Sequence, residues 1–260
     1  MEEEIFKEVV KSPGLLKEMY FDIVQPGAKQ VGKALNTVVG LGNTVLLPLQ
    51  LINEKSQAIF EKNTKKYQQK LNETPEEEIC EVSPEIGVPI VEKFSYISNE
   101  ELSNMYTELL ASASKKDKVN TAHPSFVNII NNLSPDEAKV LKFLKSNDRI
   151  PFYVVKLKYI DENKGYHTLN RMFFRMKCLA DLTFPDNIHS YIDNLEGLAL
   201  IKTSSTIFMV GENVYEPLEK LANDSYKQYV TDDKLHKLEL DKGKMEVTPF
   251  GKLFMEASIQ

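Results

Sequence analysis

Residues 98–113, SNEELSNMYTELLASA, carry the clearest helical signal in this 260-residue chain. Leu102, Met105, Tyr106, Leu109, Leu110 and Ala113 recur three and four positions apart, the spacing of one apolar face of an α-helix. Ser98 and Glu101 make a Ser-x-x-Glu start signal. The hydroxyl can accept from a free backbone N–H while the carboxylate reaches back to the cap. Downstream, His123-Pro124-Ser125-Phe126 opens a second short helix, with proline where its missing N–H costs nothing. Ser134-Pro135-Asp136-Glu137 repeats the capping box, and Ala138, Leu141 and Leu144 form that helix's buried face.

Upstream, Pro13-Gly14 ends a short acidic helix, Leu15 to Val24 is amphipathic, and Pro26 punctuates it. Ala28, Val31, Leu35, Val38 and Val39 then recur at helical spacing. Residues 54–71 are polar and Lys/Gln-rich with a narrow apolar seam of Ile52, Ile59, Phe60, Tyr67 and Leu71. Such a seam packs against one or two partner helices, within the chain or in a second copy. Residues 72–89 combine Pro75, Pro84 and Pro89 with Glu76-Glu77-Glu78 and read as a linker. The expected organisation is a helical region at 1–75, a Pro/Glu-rich linker at 76–89 and a domain at 90–260.

The period changes after Ile150. Phe152 to Tyr159 is β-branched and aromatic, a strand signal. Leu169, Met172, Phe173, Met176 and Leu179 return to helical spacing, and Ile188, Tyr191, Ile192 and Leu195 mark another helix. Two strand-like runs flank Thr203-Ser204-Ser205. Residues 238–240 and 244–248 flank Asp241-Lys242-Gly243, a hairpin-turn signal. Thr248-Pro249 starts a last helix bearing Phe250, Leu253 and Phe254. The predicted fold is mainly α with a C-terminal α+β portion. It comprises an N-terminal helical hairpin or bundle, central helices and a winged-helix-like module with a β-hairpin.

Composition narrows the function classes. Hydrophobic residues are 42% and charged residues 27%, ordinary for a soluble globular protein and unlike a polytopic membrane protein. The net charge is −6, and neither half of the chain has the basic excess of a DNA-binding winged helix, so nucleic acid is disfavoured as a partner. Cys80 and Cys178 are 98 positions apart and fit neither a zinc spacing nor a disulfide framework. The acidic start Met1-Glu2-Glu3-Glu4 does not match a signal peptide, so a cytoplasmic protein is expected.

One stretch complicates that expectation. Residues 34–53 contain no charged residue, a length that would reach across a bilayer. Asn36, Thr37, Asn43, Thr44, Pro48, Gln50 and Asn53 interrupt its apolarity. It reads as a buried core helix or as a segment that meets a membrane only on activation. Leu35, Val38, Val39, Leu41, Val45, Leu46, Leu47 and Leu49 are its candidate membrane or assembly residues.

Catalytic signals are sparse. None of His123, His167, His189 and His236 has a His or Cys three or four residues away to pair on zinc. Val39-Gly40-Leu41-Gly42 is a fragment of a phosphate loop, and no GxSxG elbow occurs. No catalytic, cofactor-binding or metal residue is assigned, and no cofactor is expected. The best charged constellation is Arg171, Arg175 and Lys177 with Lys156 and Lys158 on the preceding strand. Arg171 and Arg175, four apart, would share a helix face able to hold phosphate or a charged partner.

Several words resemble the Abi-alpha (abortive infection alpha) family, a bacterial group linked to defence against phage. They are QPGAKQVGKAL (25–35), PEIGVPIVEKFSYISNEELSNMYTELLASA (84–113), AHPSFVNIINNLSPDEAKVLKFL (122–144), SYIDNLEGLALI (190–201) and VTPFGKLF (247–254). The HPSF and LSPDEAK words are the most specific. Gly197 stands where the family usually has an arginine, and Ala199 where it usually has a glycine. The family has no established catalytic residues to carry over.

The resemblance implies a part in phage defence. With no catalytic constellation, the expected function is a non-enzymatic abortive-infection component acting through protein–protein interaction and assembly. A membrane-perturbing effector using residues 34–53 and a winged-helix DNA-binding regulator are the alternatives. Expected partners are a protein or a second copy, with a membrane on activation.

Overall fold

A computed structural model describes residues 28–40, 54–176, 179, 181–230 and 235–260. The described residues hold ten α-helices and one four-stranded antiparallel sheet. This is the expected mainly-α chain with a C-terminal α+β portion. Two compact units are present, one of residues 1–138 with 253–260 and the other of residues 139–252.

The first unit contains α1 (Ala28–Ala34), α2 (Asn36–Gly40), α3 (Glu54–Leu71), α4 (Pro84–Phe94), α5 (Glu100–Ala113) and α6 (Ser125–Asn131). On α5 the expected stripe is inside: Met105, Tyr106, Leu109, Leu110 and Ala113 are buried. Its start lies one residue later than the Ser98–Glu101 signal. Asn99 is the cap, and its side chain accepts from Leu102 N at 3.1 Å, a role to which Asn is as well suited as Ser. The second box forms as read, with Ser134 N donating to Glu137 Oε2 at 2.6 Å and Glu137 N to Ser134 Oγ at 3.2 Å.

α3 packs against α5 through Phe60, Asn63, Tyr67 and Leu71. Asn63 is a polar member of that seam. Its amide donates to Phe94 O and Ile97 O, each at 3.0 Å, and its oxygen accepts from Ser103 Oγ at 2.6 Å. The Tyr67 hydroxyl lies 2.6 Å from Ser114 Oγ, which donates to Leu110 O. Burial pushes the Tyr67 phenol well above its ordinary range.

Residues 72–89 differ from the linker expectation. Ile79, Val82 and Ile86 are buried, and α4 begins at Pro84 and runs through Pro89. Val82 N donates to Ala34 O at 2.9 Å, and Lys33 Nζ to Glu76 O at 2.6 Å. The Glu81 carboxylate accepts from Asn36 and Thr37. Proline and acidic residues dominate the composition here, but three apolar side chains are buried and backbone bonds tie the segment both to Ala34 and, through Cys80 N, to Ser114 O. The division between compact units falls at 138/139 instead.

The C-terminal portion begins with α7 (Pro135–Ser146) and continues through β1 (Arg149–Tyr159), β2 (Tyr166–Phe173), α8 (Ile188–Gly197), β3 (Ile201–Ser204), α9 (Glu216–Tyr226), β4 (His236–Val247) and α10 (Pro249–Ser258). The sheet order is β2-β1-β4-β3. Three expectations are corrected here. Residues 169–173 belong to strand β2, not to a helix. Leu169 and Phe173 are four apart, a spacing that a strand face and a helix face share, and both pack against buried Tyr153, Val155, Tyr215 and Leu218.

The Asp241-Lys242-Gly243 turn does not form, because β4 runs unbroken through it. A methyl at Gly243 would overlap the Phe152 ring and Ser204 O, so this glycine marks a close approach within the sheet. The hairpin of the unit is β1–β2, which turns near Gly165 at φ 75°. Finally, strand structure stops at Ser204, and residues 207–210 have no regular structure.

Candidate functional site

Strand alternation and the β1–β4 register place Lys156 and Lys158 on one face of the sheet. There each meets a carboxylate of β4. Lys156 bonds Asp241 and also lies 4.3 Å over the Tyr166 ring; Lys158 pairs with Glu239 at 3.0 Å. The Asp241 contact raises the Lys156 ammonium above its ordinary value.

Arg171 sits on β2 and turns to α8. It pairs with Asp193 at 2.5 Å and donates to His189 O at 3.1 Å. Arg175 is exposed beyond the end of β2. Since β2 is a strand, the helix face expected to join Arg171 and Arg175 does not exist. Lys177 lies outside the described residues. The structure therefore brings Lys156 and Lys158 together, directs Arg171 to another element, and supplies each of the three with an anion.

The histidines do not converge. His123 Nδ1 accepts from Ser125 N at 3.1 Å, a local turn contact. His167 and His236 flank the Tyr159 ring at 5.8 and 4.3 Å between centroids. His189 is half-buried, and burial followed by the nearby Arg171 charge pushes its imidazole down. Among the described residues no group of three His, Cys, Asp or Glu could hold a metal ion.

Of the uncharged tract, Ala34, Leu35 and Val38 are described and buried. Val38 lies so close to Gly87 of α4 that a methyl there would overlap it. The Val39 side chain and Leu41, Val45, Leu46, Leu47 and Leu49 lie outside the described residues. Among those that are described, no helix is long and apolar enough to cross a membrane.

A feature missed in the sequence lies on α3. A shallow, open depression of about 380 Å³ between side chains of this one helix, called the α3 groove below, is lined by Ala58, Glu61, Lys62, Lys65, Lys66 and Gln69. The available signal was the recurrence of these residues at three- and four-residue steps, with a small residue at one end and three lysines along it. Lys62 and Lys66 both donate to Glu100 of α5, at 2.9 and 2.6 Å, and hold its carboxyl down to about 2. Lys66 also reaches Ser103 and Asn104. The stripe is thus fixed to the neighbouring helix while Lys65 projects from it.

A family model described as abortive infection alpha matches residues 55–258. The chain belongs to the abortive infection alpha family. The matched region runs from the second residue of α3 to the last of α10, so it contains both the lysine-lined groove and the whole sheet. The QPGAKQVGKAL word at 25–35 lies before it. No curated protein and no solved structure matches the chain. Ala199 has φ 59°. Leu200 N bonds Leu195 O at 3.0 Å and Ala199 N bonds Glu196 O at 2.9 Å, the closing pattern in which glycine ordinarily ends a helix.

Proposed function

We propose that this abortive infection alpha protein contributes to phage defence by binding rather than by catalysis, using the α3 groove to engage an acidic protein segment. The groove carries the reading. It sets Lys62, Lys65 and Lys66 beside Glu61 and the exposed Ala58, with Glu100 of α5 against two of the lysines. Opposite charge at such a rim steers and registers a partner more than it adds affinity. Two of the lysines are held in place by Glu100, so less side-chain entropy is lost when a partner arrives.

Phage plating on cells carrying the protein tests this reading. Ala58→Glu combined with Lys65→Glu alters the groove while sparing the Lys62–Glu100 and Lys66–Glu100 pairs. The expected result is loss of protection with an unchanged circular dichroism spectrum and melting curve. Full protection by the folded double variant would end the reading.

A further inference from the structure

We propose that the sheet unit docks on an anionic lipid surface through the loop that follows β3. This loop presents Ile207, Phe208 and Val210 at 58, 51 and 92% exposure. It is held in place, with Ser204 Oγ accepting from Thr206 N and Ile207 N at 3.3 and 3.0 Å. The Tyr215 hydroxyl accepts from Met209 N at 3.0 Å and donates to Gly243 O at 2.8 Å. Met209 is drawn toward the Tyr153 cluster while its neighbours stay outside. A built loop with its apolar side chains displayed marks a contact surface.

Charge beside the loop selects the partner. The β1–β4 and β3–β4 registers put Arg149, Lys202, Lys242, Lys244 and Glu246 on one sheet face. Among the strand residues of that face four cations share a single carboxylate, which Lys244, then Arg149 and Lys202, hold below its ordinary value; Glu219 of α9 also reaches the face, accepting from the Tyr153 hydroxyl at 3.2 Å. Lys242 lies 6.0 Å over the Phe208 ring and 5.3 Å over Tyr215, and among the described residues it has no carboxylate partner. Glu212 is the one acidic residue of the loop itself. An apolar tip beside a cationic strip suits the boundary between headgroups and acyl chains, where apolar insertion and attraction to anionic lipid act together.

Two other occupants fit less well. An added β-strand would need the free edge of β3, but Thr203 N donates to Glu196 Oε1 at 2.8 Å and is already occupied. Nucleic acid would meet the cations and one ring at Phe208, but the flanking exposed side chains, Ile207 and Val210, are aliphatic and give a run of bases nothing further to stack on.

The full chain contains no tryptophan, so Phe208→Trp installs a single reporter at the tip. Its emission is expected to shift to the blue with vesicles of equimolar phosphatidylcholine and phosphatidylglycerol, and not with phosphatidylcholine alone. Ile207→Ser with Val210→Ser should weaken sedimentation with the mixed vesicles about tenfold. Lys242→Gln should weaken it about fivefold, the contribution of one lysine near an anionic surface. No blue shift with the mixed vesicles would overturn the proposal. So would undiminished sedimentation of the serine variant, or a response to single-stranded oligonucleotide in place of vesicles.

Discussion

In the helical unit Asn63 is 1% exposed and bonded on every side, whereas in the sheet unit Lys158 keeps 34% of its side chain in water beside Glu239. Both are polar residues on regular elements, but they solve different problems. α3 packs against both α4 and α5, so its polar seam residue must find partners inside. Lys158, toward the end of β1, stays one-third in water and needs only a neighbour across the strands. Polar groups should therefore be costly to alter in the first unit and cheap in the second.

Asn63→Ala gives the largest expected effect. It leaves the Phe94 and Ile97 carbonyls without their amide donor and the Ser103 hydroxyl without its acceptor, Lys66 still donating to that hydroxyl. Stranding buried polar groups costs about 1–3 kcal/mol each when fully desolvated, so a total loss of about 3 kcal/mol is expected. Urea denaturation checks it. A loss under about 1 kcal/mol, the net worth of a single ordinary hydrogen bond, would erase the contrast between the units.

Ala199→Gly is expected to act in the opposite direction. At φ 59° the alanine Cβ crowds the following carbonyl, a cost of about 1–2 kcal/mol that glycine does not carry. Glycine's greater freedom in the unfolded chain offsets part of this, leaving a gain of about 1 kcal/mol. The melting temperature should rise by about 2–4 °C for a chain of this size. An unchanged or lower value would show that the end of α8 relaxes without glycine.

Local spacing was readable in the sequence, and long-range pairing was not. The α5 stripe and the Ser134–Glu137 box were legible because a helix is built from residues three and four apart. β2 was misread because Leu169 and Phe173 satisfy both periods, and the choice is made by pairing with β1, which no local window contains. Gly243 misled in the same way. Beside Asp241 and Lys242 it looks like a turn, but its role is set by Phe152, ninety-one positions earlier. Of the candidate site residues, the cationic ones could be found, but not the anions that neutralise them. Asp241, Glu239 and Asp193 reach Lys156, Lys158 and Arg171 only through the sheet and α8.

A double-mutant cycle on Lys158→Met and Glu239→Gln probes the inexpensive side of the contrast. Both side chains are about one-third exposed, at 34 and 33%. The coupling should be about 0.5 kcal/mol at low ionic strength, typical of a surface pair. In 1 M salt, where the screening length shrinks to about 3 Å, it should fall toward zero. A salt-independent coupling above about 2 kcal/mol would place this pair among the desolvated ones.

The smallest effect concerns Glu100, where the helical unit behaves like the sheet unit. Its carboxylate accepts from Lys66 first and Lys62 second, which lowers its pKa to about 2 in the folded chain. In the unfolded chain a glutamate titrates near about 4.3. Protons therefore bind the unfolded state first as acid is added. The stability this residue contributes is fully present above about pH 4.3 and is lost as pH falls through about 2. Its side chain is 56% exposed, so solvent screening reduces the contribution well below what the shift alone suggests. Glu100→Gln should flatten the acid limb of stability against pH within that window and leave the slope above pH 5 unchanged. If the two proteins lose stability in parallel from pH 5 to 2, the lysines do not hold this carboxylate in solution, and the anchoring of the α3 stripe fails with them.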